Sequence, residues 1–501
     1  MDSFSLLADG FRVALTAQNV LWCFIGVFWG TMVGVLPGLG PLAGMALLLP
    51  LTYNLPPDTA IIMLAGIFYG AMYGGSTTSI LVRIPGEAAS VVTCLDGYEM
   101  ARKGRAGPAL MIAALGSFVG GTVSIVGLAL FAPPLANAML AVGPAAECVL
   151  MLAALAVIVA VSSGSPLKTA AMILAGLVLA TVGIDALTGY PRFTFGTLSL
   201  SDGIDFVPIA IGLFGVSEIL LSLEQAMTER AKAPRLRDLV PQRRDLVESA
   251  PAIGRGTVIG FFFGIVPGVS HIVSTFVSYV VEKKFSRTPE LFGKGAIAGV
   301  AGPETANNAT TGSSMIPLLV LGIPSIPATA LLLSALLIHG IQPGPQLVSD
   351  HPNIFWGLIA SMYIGNLILV VLNLPMVGLF VNLLRIPAGI LSPSVLLISM
   401  IGVYSVAADA SDIWFMVGSG LAGYVLRKYG YDVAPLLLAF VLGERIETNF
   451  RRALTISDGD YTTFISGAAA QGLLVVIGGI AALMVGARLL GWRRPAAAAV
   501  D

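Results

Sequence analysis

The chain alternates long apolar stretches with short polar joints. A helix of about 20 residues crosses about 30 Å of hydrocarbon. Stretches near that length fall at 17–36, 58–82, 109–132, 139–161, 167–187 and 206–225. Later in the chain they recur at 295–322, 326–341, 354–384, 390–407, 411–427 and 464–491. The pattern predicts an all-α polytopic membrane protein. Several stretches are interrupted by Pro-Gly pairs or by runs of Ser, Thr and Asn, and these interruptions carry the candidate chemistry.

The longest polar interval, Glu224–Arg255, holds Arg230, Lys232, Arg235, Arg237, Arg243, Arg244 and Arg255, with Pro234, Pro241 and Pro251 among them. It predicts a first transmembrane repeat over 1–225, a linker over 226–255, a second repeat over 256–492 and a tail over 493–501. Basic loops stay on the cytoplasmic side, so the linker is expected there. Arg102, Lys103 and Arg105 fall on the same side, an even number of spans away. Lys283, Lys284, Arg287 and Lys294 join them only if 256–282 enters and leaves on one face. The Pro-Gly in its middle makes it a re-entrant hairpin.

The two parts echo each other. Gly34-Val35-Leu36-Pro37-Gly38-Leu39-Gly40 resembles Gly264-Ile265-Val266-Pro267-Gly268-Val269-Ser270. Gly75-Ser76-Thr77-Thr78-Ser79-Ile80 before Ile84-Pro85-Gly86 resembles Thr311-Gly312-Ser313-Ser314-Met315-Ile316 before Gly322-Ile323-Pro324-Ser325. Two motifs repeated in one order point to duplicated, inverted halves, an arrangement found in secondary transporters.

Composition sharpens this reading. Hydrophobic residues make up 56% of the chain and charged residues 11%, against about 25% charged in soluble domains. Mean hydropathy is +0.89. Lipid must therefore be much of the solvent. The net charge of −1 says nothing about a nucleic-acid or acidic partner, and with no basic domain in the sequence no nucleic-acid partner is expected. Cys23, Cys94 and Cys148 lack paired spacing and read as packing residues rather than as disulfides or zinc ligands. The amino-terminal stretch has no basic region ahead of its apolar run, so no removable signal peptide is expected. There is no P-loop.

Proline removes a backbone donor and glycine permits strained dihedrals, so Pro37, Gly38 and Gly40, and Pro267, Gly268 and Ser270, should break helices within the apolar zone. Lipid tolerates such breaks only inside protein or beside a wet cavity. Half-helix starts there offer N–H groups to an anion; a simple kink is the alternative. The hydroxyls of Ser76, Thr77, Thr78, Ser79, Ser313 and Ser314 can donate to a carboxylate. Glu304, Asn307, Asn308, Thr310 and Thr311 supply oxygens for a coupling cation, with interhelical hydrogen bonding as the alternative. An intramembrane carboxylate is costly and usually functional, though Glu304 could instead cap a helix at the membrane surface. His271 is either a proton shuttle or a packing residue. Arg83 reads as an arginine snorkelling at the cytoplasmic edge, with attraction of an anion as the alternative.

With these constellations in view, the chain resembles the TctA family, the large membrane subunit of tripartite tricarboxylate transporters. The matching pieces are GVLPGLGPLAGMALLLPLTY at 34–53, YGGSTTSILVRIPGEAASVVTCLDGYEMARKG at 73–104 and GIVPGVSHIVSTFVSYVVEKKFS at 264–286. FGKGAIAGVAGPETANNATTGSSMIPLLVLGIPSIPATALLLSALLIHGIQPGP at 292–345 completes them. The resemblance implies a bacterial inner-membrane permease, not an enzyme, that takes up a small organic tri- or dicarboxylate. It implies coupling to Na+ or H+, no other cofactor, and two partners: a small integral membrane subunit and a periplasmic solute-binding protein. A membrane-embedded enzyme or a passive anion channel would be the competing readings.

Overall fold

The computed structural model describes residues 3–36, 40–140, 142–161, 165–185, 188–224, 236–266, 271–383 and 409–466, with short pieces between 393 and 404 and at 471. Most of the expected spans at 390–407 and 464–491, the tail at 493–501 and part of the linker lie outside the described residues. So do Pro37, Gly38, Pro267, Gly268 and Ser270.

The described chain is almost wholly helical. Its helices are α1 (Ser3–Ala14), α2 (Ala17–Val35), α3 (Gly40–Thr52), α4 (Pro57–Val82), α5 (Thr93–Arg102), α6 (Ala106–Met139), α7 (Pro144–Val161) and α8 (Pro166–Leu179). After α9 (Phe206–Ala210) and α10 (Ser217–Glu224) come α11 (Arg243–Ile265), α12 (His271–Phe285), α13 (Ala298–Ser313) and α14 (Pro327–Ile338). Then follow α15 (Leu347–Asp350), α16 (Pro352–Asn373), α17 (Val377–Leu383), α18 (Ala410–Lys428) and α19 (Ala434–Ile456). Among the described residues four helices, α2, α4, α6 and α16, are long and apolar enough to cross a membrane. Two expectations shift. The span expected to reach 187 stops at Leu179, because Gly183, at φ +124°, opens a two-residue antiparallel ribbon of Gly183–Ile184 with Pro191–Arg192. The fold is thus not purely helical.

The chain forms two compact units. The smaller packs α7 and α8 against α19, with Gly176 against the Leu436 carbonyl. There Asp185, Arg192, Glu447 and Arg451 form an ion-pair network, with Arg192–Glu447 at 2.7 Å and Arg451–Asp185 at 2.9 Å.

The larger unit is built around α4. Every residue of its apolar window is buried, whereas α6 leaves Val119, Val123, Val126 and Leu130 exposed along one stripe. Spacings of four, three and four residues put those four side chains on one helix face, the face suited to lipid. Close packing around α4 depends on glycine. A Cβ on Gly26, Gly30 or Gly34 of α2 would collide with the carbonyls of Met63, Ile67 and Ala71. Both series rise together, so α2 and α4 run parallel. Asn19 ties their starts, donating to Asp58 at 3.0 Å and accepting from Thr59 at 2.5 Å. Small residues bring helix backbones together in this way where lipid supplies no hydrophobic drive between helices.

The same device recurs. Gly256, Gly260 and Gly264 of α11 sit against the carbonyls of Gly302, Ala306 and Thr310 on α13, again in parallel register. The segment between the partners doubles back in both cases. Arg255 on α11 pairs with Glu282 on α12 at 2.5 Å. At 1.5 Å per residue a straight helix would hold these two about 40 Å apart, so α11 and α12 form a helical hairpin. Trp29 on α2 likewise donates to the Gly44 carbonyl on α3 at 3.1 Å.

The two pairs end alike. α4 stops at Arg83 in the left-handed region (φ 58°), followed by Ile84-Pro85-Gly86. α13 runs into a wider π turn at Pro317–Leu321 and stops at Gly322 (φ 66°), followed by Ile323-Pro324-Ser325. The next residues, Glu87 and Ile326, then share an extended conformation (φ −145° and −144°) at the cap of the following helical turn.

Three basic segments come together in the larger unit. Arg105 pairs with Asp245, and Lys103 donates to the Lys294 carbonyl. Asp96 joins them as a fully buried clasp. It accepts the N–H groups of Gly293 at 2.9 Å and of Gly295 and Ala296 at 2.7 Å, and the Tyr279 hydroxyl at 2.9 Å.

Candidate functional site

α13 is a helix whose central residues are almost all polar or small, and every residue from Gly299 to Ser313 is buried. A helix hides its polar backbone inside its own ladder, so only the side chains need partners. Their directions follow the 3.6-residue repeat.

Glu304, Asn307 and Thr311, spaced three and four apart, share one face. Glu304 is 1% exposed, and lies within α13 rather than capping it at a surface. Its carboxylate accepts the Ser76 hydroxyl of α4 at 2.5 Å and the Thr93 hydroxyl of α5. Asn307, also 1% exposed, donates its Nδ2 to Glu87 Oε1 at 3.0 Å. Its Oδ1 is buried without a hydrogen-bond partner. Thr311 Oγ1 lies 3.1 Å from His271 Nε2 and donates to the Asn307 carbonyl at 2.9 Å. His271 sits edge-on to Phe68, with ring centroids 5.8 Å apart, so packing accounts for much of its surroundings.

The other tract residues face elsewhere. Asn308 donates to Ser117 of α6 at 2.7 Å and to the Glu304 carbonyl. Thr310 and Ser313 turn to α11, where each reaches the Gly260 carbonyl, and Thr310 also meets Ser274 of α12 at 2.8 Å. Ser314 donates to the Thr311 carbonyl. In this arrangement these hydroxyls bond to helix backbone and to neighbouring helices.

The first-part tract divides similarly. Ser76 reaches Glu304, while Ser79 donates to the Gly75 carbonyl and meets Ser90 at 2.9 Å. Thr78 donates to the Gly75 carbonyl at 3.2 Å, and Thr77 is buried within α4. Gly40 opens α3 at φ +60° with open space where a side chain would stand. Arg83 lies over the Tyr98 ring at 6.0 Å and makes no contact with the buried acids among the described interactions.

Glu87 is the residue that sequence reasoning passed over. It follows Pro85-Gly86 and reads as the start of a loop, yet it is buried. Its Oε2 accepts the Ala89 N–H at 2.7 Å, capping a single 3-10 turn at Ala88–Val91. Space for it comes from Gly75, where a Cβ would stand 2.7 Å from Glu87 Cγ. A Gly-Gly pair two turns before a helix end and an acid just beyond the break was the available signal. The result is two buried carboxylates, Glu87 and Glu304, contacted by the hydroxyls of Ser76 and Thr93, one carboxamide and one backbone N–H. Among the described residues neither pairs with Lys or Arg. Such an oxygen-rich cluster suits a hard cation.

The family described as "Tripartite tricarboxylate transporter TctA family" matches residues 20–438. The chain is 48% identical over 485 residues to an Agrobacterium vitis protein described as "Uncharacterized 52.8 kDa protein in TAR-I ttuC' 3'region". That alignment covers 97% of this chain and 96% of the relative. A second A. vitis protein, "Uncharacterized protein in TAR-II ttuC' 3'region", is 49% identical over 215 residues, covering 43% of this chain and 89% of that one. No solved structure matches. A buried acid-and-amide face among membrane-length helices is therefore the setting of a transporter rather than of an enzyme, and the chain belongs to the TctA family of tripartite tricarboxylate transporter membrane subunits.

Proposed function

We propose that the chain is the large permease subunit of a binding-protein-dependent transporter, and that it takes up a small organic tri- or dicarboxylate across the bacterial inner membrane by ion coupling. The observation that carries this reading is the Ser76–Glu304 contact: the polar tracts of the two sequence halves meet at one buried point. The family implies a system of several subunits. On this reading the others are a small integral membrane subunit and a periplasmic solute-binding protein that delivers the carboxylate.

The coupling ion, Na+ or H+, is assigned to the face of Glu304 and Asn307, with Thr311 beside it. Asn308 and Thr310 support the helix that carries them. The substrate is assigned to Ser76–Ser79 and the helix starts at Gly40 and His271. Flanking residues Pro37, Gly38, Pro267, Gly268 and Ser270 complete the assignment. Helix starts favour anions, and a bound cation would offset the charge of Glu304 against an arriving carboxylate.

Inverted duplication is supported by the matched glycine registers and matched helix ends. Contacts among the segments around Arg105, Asp245 and Lys294 support one common cytoplasmic face. With that face fixed, α4 runs toward the cytoplasm and α13 away from it. Movement of the ion- and substrate-bearing core would then give alternating access.

The test is uptake into vesicles carrying the whole assembly, with labelled tricarboxylates, dicarboxylates, sugars and amines compared. Carboxylate uptake that needs the binding protein and an ion gradient is expected. Coupling should fall in an Asn307→Ala, Asn308→Ala double variant. Gradient-independent uptake would replace this reading with a channel.

A further inference from the structure

We propose that Glu87 and Glu304 form one sodium site, a carboxylate from each half of the chain, closed by Asn307 Oδ1. The inference rests on the ion-coupled reading above and adds a residue and an ion to it.

Each carboxylate oxygen accepts a neutral donor. Ser76 and Thr93 take the two oxygens of Glu304, and Ala89 N–H and Asn307 Nδ2 take those of Glu87. All four partners can donate, so both acids can be held in the ionised form. Two buried negative charges without Lys or Arg are strongly unfavourable unless a counter-charge arrives.

Asn307 says where. Its buried Oδ1 has no partner although its Nδ2 is used. With Glu87 ionised, turning the amide over would press its oxygen against the carboxylate and strand the N–H instead. The unpartnered oxygen therefore stands beside the Glu87 carboxylate. Glu304 lies one turn away on the same face, where neighbouring Cβ atoms are about 5–6 Å apart. A carboxamide oxygen and two carboxylates beside serine and threonine hydroxyls can replace the hydration shell of a small hard cation.

The placement also suggests what binding does. Glu87 lies beyond the end of α4, and Glu304 and Asn307 lie on α13. An ion between them ties the two halves together, and a ligand that binds one arrangement better shifts the population toward it.

The purified full chain in lipid nanodiscs tests this by its melting temperature in Na+, K+ and Ca2+ at matched ionic strength and over a pH range. Sodium should raise the native melting temperature saturably and more than potassium does. The response should vanish in Glu87→Gln and Glu304→Gln, and need about tenfold more sodium in Asn307→Ala. Should Glu87→Gln fail to fold, Glu87→Asp keeps the charge and should still respond, at higher sodium. An unchanged sodium response in Glu87→Gln overturns the proposal. So does a response to calcium alone, or stabilisation by acid with none by sodium. Uptake measured in parallel separates the two readings. Sodium binding without carboxylate uptake sinks the transport reading and leaves the site. Carboxylate uptake without sodium binding sinks the site alone.

Discussion

The α2/α4 and α11/α13 pairs share a backbone plan and differ in the side chains they present. In both, three glycines at four-residue spacing lie on successive carbonyls of a parallel partner, which ends in a left-handed residue before Ile-Pro. In that common register Glu304, Asn307, Asn308 and Thr311 of α13 correspond to Ala65, Phe68, Tyr69 and Met72 of α4. Toward and past the break the contrast reverses, with Ser76 and Glu87 on the first side and Met315 and Ile326 on the second. Each half is polar where the other is apolar. Packing constrains both pairs in the same way, whereas the proposed asymmetric site needs each ligand only once.

If the scaffold is common to both pairs, Gly30→Leu and Gly260→Leu should be equally damaging. Each would drive a side chain into a carbonyl, of Ile67 or Ala306. We expect neither variant to give a monodisperse peak on fluorescence size-exclusion chromatography; tolerance of one alone would break the equivalence. Asp96→Ala comes next, because it strands three backbone N–H groups. A loss on the order of 3 kcal/mol is expected, read as lowered thermal stability with sodium half-saturation unchanged.

A sharper comparison lies within α13 itself. Asn307→Ala should raise the sodium half-saturation of uptake about tenfold, equivalent to about 1.4 kcal/mol. Asn308→Ala, which loses the contact with Ser117, should shift it less than twofold. The smallest expected effect is that of Thr310→Val, about 1 kcal/mol of stability with no change in ion response. Equal shifts from Asn307→Ala and Asn308→Ala would erase the division of α13 into a ligand face and a packing face.

Much of this was legible in the sequence. α2 and α4 stand where the apolar stretches placed them, because length and apolarity dominate such a chain, whereas α6 runs on to Met139 and the stretch at 354–384 divides into α16 and α17. The two polar tracts were also visible as runs too polar for their flanks. Less legible was the direction of each tract residue. Thr310 and Ser313 point to the α11 glycines once the helical repeat is applied, whereas Asn308 shares the Glu304 side of α13 and is told apart only by its contact with Ser117 of α6. Glu87 was hidden for another reason. Its burial follows from Arg83 turning the chain back over Gly75, a tertiary event with only a weak local signature.

The central claim is that an acid in the second half, held by a hydroxyl in the first, couples transport to an ion. Initial uptake rates in vesicles carrying the whole assembly, with and without an inward sodium gradient, test it most directly in the native protein and in Glu304→Gln. The account predicts that the gradient accelerates native uptake at least about tenfold, equivalent to about 1.4 kcal/mol, and leaves the variant unmoved at equal protein. A Glu304→Gln protein that answers the gradient as the native one does would contradict it.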